Sequence, residues 1–135
     1  PLQHVFVATA AVADWRPASY AQRKIKKDGT RGAPALELAE NPDILAAVAR
    51  LPQRPYCVGF AAETNDLAHN AREKLKRKNV PLIVGNIGPD TFGRDHNTLV
   101  LVDEQGEREL PSASKLQLAR ALVAEIATRL EAARP

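Results

Sequence analysis

Hydrophobic residues fall into short continuous runs along this chain, alternating with stripes that keep helical spacing. Apolar runs rich in β-branched residues predict four buried strands, at positions 4–12, 55–62, 81–84 and 98–102. The Asp-Glu-Gln-Gly segment at 103–106 predicts a turn after the fourth strand. The runs are too short to be helices that cross a core, so we interpret them as the strands of one sheet.

Three stripes with helical spacing predict helices between and after these strands. Asn41 is the expected N-cap of the first, with Pro42 at its first helical position and a final residue near Leu51. Asn65 or Asp66 is expected to cap a second helix that ends near position 78. A third covers 113–130, and its expected buried face consists of Leu116, Ala119, Leu122, Val123, Ile126 and Leu130.

One segment follows neither pattern. Positions 23–27 and 35–39 alternate polar and apolar residues around Asp28-Gly29 and Gly32, which predicts a β-hairpin. The strand–helix order of the remainder predicts an α/β fold, a three-layer Rossmann-like domain with a mainly parallel sheet. We therefore expect a single domain over 1–135, from which a hairpin at 23–39 projects.

Composition narrows the functional classes. The 135 residues are 44% hydrophobic and 26% charged, as in soluble globular domains, and no apolar run approaches the length of a membrane span. Cys57, the one cysteine, fits a cytoplasmic protein and is expected to be a small buried hydrophobe. The net charge of +3 and the lack of aromatic residues among the basic clusters argue against nucleic-acid binding.

Polar residues that could carry chemistry follow the predicted strands. Asp14 follows the first, the segment 60–64 ends the second, and the turn-rich loop 86–97 follows the third. Ligands of open α/β sheets bind beyond the carboxyl ends of the strands, and the helix start at 41–44 offers backbone N–H groups there. The residues alone indicate a domain that binds an anionic, phosphate-bearing small molecule.

Each candidate also has a structural interpretation. Lys74 and Lys78 share a helix face and, with Lys24, could bind a polyphosphate, but cations near a helix C-terminus are also favoured by the helix dipole. Asp14 could cap a turn, and Phe60 could belong to the core. Packing is the expected role of Trp15 and Tyr20. The histidines are scattered, which disfavours a structural metal site and leaves any metal ligands unknown.

Six segments, in order, resemble one family. They are AAVADWRP (10–17), KIKK (24–27), NPDIL (41–45), GFAAET (59–64), KLKRKN (74–79) and the loop that begins at Asn86. The chain resembles the C-terminal part of bacterial phosphopantothenoylcysteine synthetase, the ligase half of the bifunctional coenzyme A biosynthesis flavoprotein. The resemblance implies that CTP, with Mg²⁺, activates 4′-phosphopantothenate as an acyl-cytidylate, which cysteine then attacks. It also implies that FMN belongs to a decarboxylase domain that these residues do not contain.

The same resemblance implies roles for particular positions. Lys24 matches the family's lysine on a mobile loop that serves the second half-reaction, and is the expected catalytic residue. The hairpin at 23–39 matches one that pairs with its counterpart in a homodimer. The positions that match the family's nucleotide site are Ala8, Thr9, Ala10, Asp14, Lys24, Pro42, Asp43, Ile44, Leu45, Phe60, Lys74 and Lys78.

The chain departs from the family pattern at one point. The family's Gly-rich start, which carries an asparagine needed to form the acyl-cytidylate, does not occur in these residues, so we interpret the chain as a fragment. Two alternatives therefore stay open. One is a catalytically inactive fragment for nucleotide binding and dimerisation. The other is a Rossmann-type dinucleotide-binding oxidoreductase domain, against which the lack of a GxGxxG fingerprint counts.

Overall fold

The computed structural model describes residues 3–26, 35–63, 66–87 and 95–132. The chain divides into two compact units, one formed by Pro1–Thr9 with Leu45–Pro135 and the other by Ala10–Ile44. In chain order the elements are β1 (Val5–Val7), β2 (Trp15–Pro17), β3 (Leu38–Glu40), α1 (Ile44–Ala49), β4 (Tyr56–Glu63), α2 (Leu67–Lys78), β5 (Leu82–Ile87), β6 (His96–Asp103), β7 (Gly106–Ser114) and α3 (Lys115–Ala132). Within the described ranges, no helix is long and apolar enough to cross a membrane.

The larger unit is built on a five-stranded mixed sheet in the order β1-β4-β5-β6-β7. β1, β4 and β5 pair in parallel, with Val7 opposite Val58 and Phe60 opposite Val84. β6 and β7 continue the sheet as an antiparallel hairpin. The α/β prediction is confirmed, and the parallel part is the part that the helical connections build.

Helices cover both faces of this sheet and produce three layers. On one face, α1 and α2 bury Leu45, Ala71 and Leu75 against the sheet. On the other, α3 buries Leu118, Leu122 and Ile126. Alternate residues of β4 divide between the two faces, because Cys57 and Ala61 join the first cluster and Val58 joins the second. Cys57 is 1% exposed, which confirms the prediction that it is a buried hydrophobe.

The smaller unit contains a two-stranded antiparallel ribbon of β2 and β3. Trp15 lies opposite Glu40 and Pro17 opposite Leu38. The predicted pairing of 23–27 with 35–39 is wrong where the structure describes it, because residues 23–26 and 35–37 form no strand. Long-range pairing with 15–17 recruits Leu38–Glu40 instead. The predicted turn at 28–32 lies outside the described residues.

The predicted cap of the first helix is wrong, and the second helix has Asp66 at its N-cap position without the expected side-chain hydrogen bond. α1 begins at Ile44, and the amide side chain of Asn41 donates to Ala13 O at 2.7 Å while its Oδ1 accepts from Arg16 at 3.0 Å. Asp66 precedes α2 in a left-handed conformation (φ 47°) without a side-chain cap hydrogen bond, and Asn65 lies outside the described residues. Asn41 therefore joins backbone segments of the smaller unit.

The buried face of α3 is rotated from the expected one. Leu116 and Val123 are 62% and 66% exposed, whereas Leu118, which was not expected inside, is 3% exposed. α3 begins at Lys115, two residues later than predicted, because positions 113 and 114 complete β7. Packing against the sheet selects Leu118, Leu122 and Ile126, which lie at i, i+4 and i+8.

Candidate functional site

The parallel strands β1 and β4 part at their carboxyl ends. The ladder holds from Tyr56 N, which donates to His4 O at 2.9 Å, to Ala8 N, which donates to Val58 O at 2.9 Å. At the next residue Thr9 N turns back and donates to Val7 O at 3.1 Å. The backbone groups of alternate residues in a parallel strand face the same neighbour. Phe60 O therefore points to the side from which β1 has departed.

The Lys74 ammonium lies at this opening. Its Nζ donates to Phe60 O at 2.6 Å, from a partly buried position on α2. An ammonium–carbonyl bond of this length is charge-assisted and replaces the main-chain donor that a longer β1 would have supplied. The arrangement holds a compact positive charge on the carboxyl side of the parallel strands, the side on which open α/β sheets bind their ligands.

Two glycines bring α1 and α2 close to the sheet. A Cβ at Gly59 would lie 2.7 Å from Leu45 Cδ2, and one at Gly85 would lie 2.8 Å from Leu67 Cδ1. Leu45 and Leu67 both belong to the first turn of their helices. The start of each helix therefore packs near the middle of a strand, and the positive ends of the helix dipoles point toward the carboxyl edge of the sheet.

The structure separates the two lysines that the sequence grouped. α2 runs from the carboxyl end of β4 to the amino end of β5, so its last turn lies toward the opposite edge of the sheet. Lys78 is four residues beyond Lys74, about 6 Å farther from the carboxyl edge along the helix axis. The geometry therefore distinguishes Lys74, at the opening, from Lys78, and the phosphate-binding role of Lys78 stays a prediction.

Other site residues of the larger unit serve its packing. The Phe60 side chain lies against the cluster under α3, so its core interpretation has structural support. Leu45 is 8% exposed and packs on Gly59, so only its backbone could face a ligand. Ala8 ends the β1 ladder, and Thr9 is exposed at the point where the chain leaves the sheet.

The remaining site residues belong to the smaller unit. Asp14 is exposed, and its carbonyl accepts from Asn41 N at 2.8 Å next to the β2–β3 ribbon. Lys24 is exposed and lies in neither strand nor helix. Ala10, Pro42, Asp43 and Ile44 are exposed as well. Their nucleotide contacts stay predictions.

Two aromatic residues of this unit differ from expectation. Tyr20 is 95% exposed and Trp15 is 58% exposed, so the prediction that both pack is wrong for Tyr20 and holds for less than half of the Trp15 surface. Sequence reasoning also missed Arg16, which donates to both Glu40 O and Asn41 Oδ1. An arginine between two apolar positions gave no signal, because its partners lie 24 and 25 residues away.

Paired charges occupy the opposite, amino-terminal edge of the sheet. Arg129 donates to Asp103 at 2.7 Å and to Glu125 at 2.8 Å. Burial alone would raise the pKa of both carboxyls and is the largest single influence on each. The hydrogen bonds and charge of Arg129, together with the backbone N–H groups of residues 105 and 106 at Asp103 and with Arg108 at Glu125, outweigh it and hold each pKa below its ordinary value. Burial raises the pKa of the neighbouring Tyr56 phenol. Cavities of about 540 and 800 Å³ flank this network. The charged side chains of the network form ion pairs with one another.

A metal site built by the protein alone is not found in the described part of the chain. No group of three His, Cys, Asp or Glu side chains comes together in residues 3–26, 35–63, 66–87 and 95–132. Mg²⁺ in nucleotide enzymes takes most of its ligands from phosphate oxygens and water, with one or two carboxylates.

Comparison with known proteins identifies the family. The model of the DNA/pantothenate metabolism flavoprotein C-terminal domain matches residues 1–130. The chain belongs to this family. The bifunctional coenzyme A biosynthesis protein CoaBC of Escherichia coli is 45% identical over 134 residues, which cover 96% of this chain and 33% of that protein. The chain spans about a third of the length of the curated relatives it matches.

Solved structures share this fold. The C-terminal domain of a CoaBC protein superposes with a TM-score of 0.71 at 32% identity, over 94% of this chain and 55% of that one. A mutant of Cab2 in complex with phosphopantothenate-cysteine gives a TM-score of 0.70 at 20% identity, over 93% of this chain and 43% of that one. The flavoprotein C-terminal domain is thus a Rossmann-like α/β domain, as the sequence predicts.

Proposed function

We propose that this chain is the nucleotide-binding part of a CTP-dependent phosphopantothenate–cysteine ligase. The observation that carries the proposal is the 45% identity to Escherichia coli CoaBC over 96% of the chain. The reaction would join 4′-phosphopantothenate and L-cysteine, with release of CMP and pyrophosphate. The phosphopantothenate-cysteine bound to the Cab2 mutant has the chemistry of such a product.

The reaction would proceed in two steps. A carboxylate oxygen of 4′-phosphopantothenate attacks the α-phosphorus of CTP, pyrophosphate leaves, and an acyl-cytidylate forms. The cysteine amine then attacks the acyl carbon, CMP leaves, and the amine loses a proton as the amide forms. Both steps depend on alignment and on stabilising negative charge, so a positioned ammonium group contributes to each.

Lys74 is our candidate for contact with the CTP phosphates. Its ammonium is held at the opening between β1 and β4, where a compact cation matches a triphosphate. Lys24 is our candidate for the second step, since an exposed lysine outside regular structure can close over an intermediate. Closure would also protect the mixed anhydride from water.

The proposal includes partners. Mg²⁺ would accompany the triphosphate and neutralise part of its charge. Two chains would pair through the segment 23–39. Because the curated relatives are bifunctional proteins about three times as long, we further propose an FMN-dependent decarboxylase domain in the complete protein.

Pyrophosphate release tests the function. The 135-residue chain and the complete protein that contains it are each incubated with CTP, Mg²⁺ and 4′-phosphopantothenate, and pyrophosphate is measured before and after cysteine is added. We expect release by the complete protein. Release by the chain at a similar rate would exclude the inactive-fragment alternative. Binding of NAD(P)H by the complete protein without any CTP turnover would overturn the proposal in favour of the oxidoreductase alternative.

A further inference from the structure

We propose that Gly85 is a positioning residue for the nucleotide site. It sets the height of α2 over the sheet at which Lys74 reaches Phe60 O. The inference rests on the proposed function insofar as Lys74 serves CTP, but its structural half can be tested without nucleotide.

The requirement at Gly85 is one of space. A Cβ there would meet three atoms of Leu67, at 2.8 Å (Cδ1), 3.1 Å (Cγ) and 3.2 Å (Cδ2). The branched end of the Leu67 side chain thus lies on the glycine, and a Cβ there requires Leu67 to leave its present rotamer or the start of α2 to move away from the sheet. Gly85 does not have the positive φ that favours glycine, so its backbone conformation does not demand this residue.

Leu67 and Lys74 move together because they lie on one rigid helix. They are seven residues apart, two turns along the same face, and Ala71 between them is fully buried. A side chain at position 85 would lift the first turn of α2 from β5. Because Ala71 is fixed against the sheet, the lift would tilt the helix and displace Lys74.

The Lys74–Phe60 bond is sensitive to such a displacement. The Nζ–O distance of 2.6 Å is short for a hydrogen bond. The strength of such a charge-assisted bond falls as this distance lengthens or as the donor–acceptor angle departs from linear. Position 85 pairs in register with Ala61, the residue after Phe60. The glycine that contacts α2 and the carbonyl that binds Lys74 therefore belong to adjacent residue pairs of the β4–β5 ladder. Gly85 therefore couples the packing of α2 to the placement of the site's ammonium group.

The first experiment follows Lys74 without nucleotide. The complete protein and its Gly85→Ala variant are treated with a limiting amine-acylating reagent, and the modification rate at Lys74 is measured by mass spectrometry. We expect the variant to react several-fold faster, since a lysine released from its carbonyl is more accessible. The double variant Gly85→Ala/Leu67→Ala should return toward the parental rate, because the added methyl group then occupies space vacated by Leu67.

Leu118→Ala is the matched control. Leu118 is a residue of α3 that packs into the core on the other face of the sheet. Its truncation lowers the stability of the domain without changing a contact of α2. Lys74 should react at the parental rate in this variant. If Gly85→Ala does not fold, Leu67→Ala alone tests the same contact from the helix side and should also raise the Lys74 rate. Unchanged Lys74 reactivity in the folded Gly85→Ala or Leu67→Ala variant would overturn the inference.

The second experiment measures turnover. Gly85→Ala should raise KM for CTP about tenfold with a smaller change in kcat, and the double variant should recover most of that loss. A complete protein without CTP turnover would refute the proposed function and leave the reactivity result standing. Normal CTP kinetics in Gly85→Ala, with turnover present in the parent, would refute the positioning role alone.

Discussion

Neighbouring lysines of α2 have different surroundings, and these decide what each can do. Lys74 is partly buried and bonded to a strand carbonyl, whereas Lys76 is exposed and lies 3.6 Å from Glu73 on the next turn. An exposed i, i+3 pair contributes at most a few tenths of a kcal/mol. Sequence spacing placed Lys74 and Lys78 together. The path of the helix over the sheet distinguishes them.

Truncation of Lys74 should weaken CTP binding. Lys74→Ala in the complete protein removes an ammonium from the opening between β1 and β4, and we expect a loss of about 1–3 kcal/mol in binding free energy. Isothermal titration with CTP measures it. Lys76→Ala is the control, because it removes the same charge from an exposed site. Equal dissociation constants for Lys74→Ala and the parent would return Lys74 to a purely structural role.

Lys24 should act after nucleotide activation. Lys24→Gln keeps the polarity and most of the length of the side chain but removes its charge, so we expect normal CTP binding and an acyl-cytidylate that accumulates when cysteine is present. Single-turnover assays with labelled CTP measure both. Lys26→Gln, at a second exposed lysine of the same segment, is the control. Consumption of the intermediate at the parental rate by Lys24→Gln would contradict the assignment.

At the scale of elements, sequence patterns predicted the strands and helices of the buried core and missed those with exposed residues. β4, β5 and β6 are continuous apolar runs and were expected close to where they lie. β7 was missed because Leu110 is its one buried residue, so its sequence shows no hydrophobic period of two. β2 was missed because the partner that makes it a strand lies more than 20 residues away.

The same limit applies to the candidate site. The sequence predicted that ligand-binding residues follow the parallel strands, and the freed carbonyl of Phe60 occurs there. No local pattern reveals that β1 ends after Val7, or that Lys74 supplies the missing donor, because both depend on the packing of α2 across the sheet. Asn41 does not cap α1 for a related reason, since its side chain bonds to partners that lie 25 and 28 residues away.

The ion pairs that join α3 to β6 should make the domain sensitive to acid. The ordinary pKa values are 3.8 for Asp103 and 4.5 for Glu125, and both are lowered in the fold. A lowered carboxyl pKa stabilises the fold above the ordinary value, and this stability is lost as pH falls through it toward the lowered one. Unfolding by urea between pH 7 and pH 3 should show a decline that begins below about pH 4.5.

Arg129→Met tests the source of this decline. The substitution keeps the apolar stem but removes both hydrogen bonds, so we expect a loss of about 2 kcal/mol at pH 7 and a flatter dependence below pH 5. Arg72→Met is the control, since its pair with Glu107 is half-exposed. An acid slope in Arg129→Met as steep as that of the parent would show that other carboxylates determine it.

At the scale of the whole molecule, the smaller unit carries a concentration of exposed apolar side chains. Tyr20, Ile25, Leu36 and Leu38 are 95%, 61%, 68% and 57% exposed. Large exposed apolar patches usually mark interfaces, so these side chains are candidates for one. These side chains lie in and beside the segment 23–39, which the family resemblance implies as the region of dimer contact.

Charge placed in this segment tests the proposed dimer contact. We expect the 135-residue chain to sediment as a dimer, and the double variant Ile25→Glu/Leu36→Glu as a 14.7 kDa monomer, because two carboxylates would have to be buried in the contact. Leu116→Glu is the control, since Leu116 is equally exposed but lies on α3. A parental chain that sediments as a monomer would contradict the expected contact.

The end strand β7 has a consequence for behaviour at high concentration. The strand has three consecutive exposed charged residues, Glu107, Arg108 and Glu109. Two of them form ion pairs within the domain, Glu107 with Arg72 and Arg108 with Glu125. Pro111 lacks the N–H that a further strand would need. Such an edge is a poor template for another chain. This side of the sheet is thereby protected against the strand-to-strand growth that leads to aggregates and fibrils.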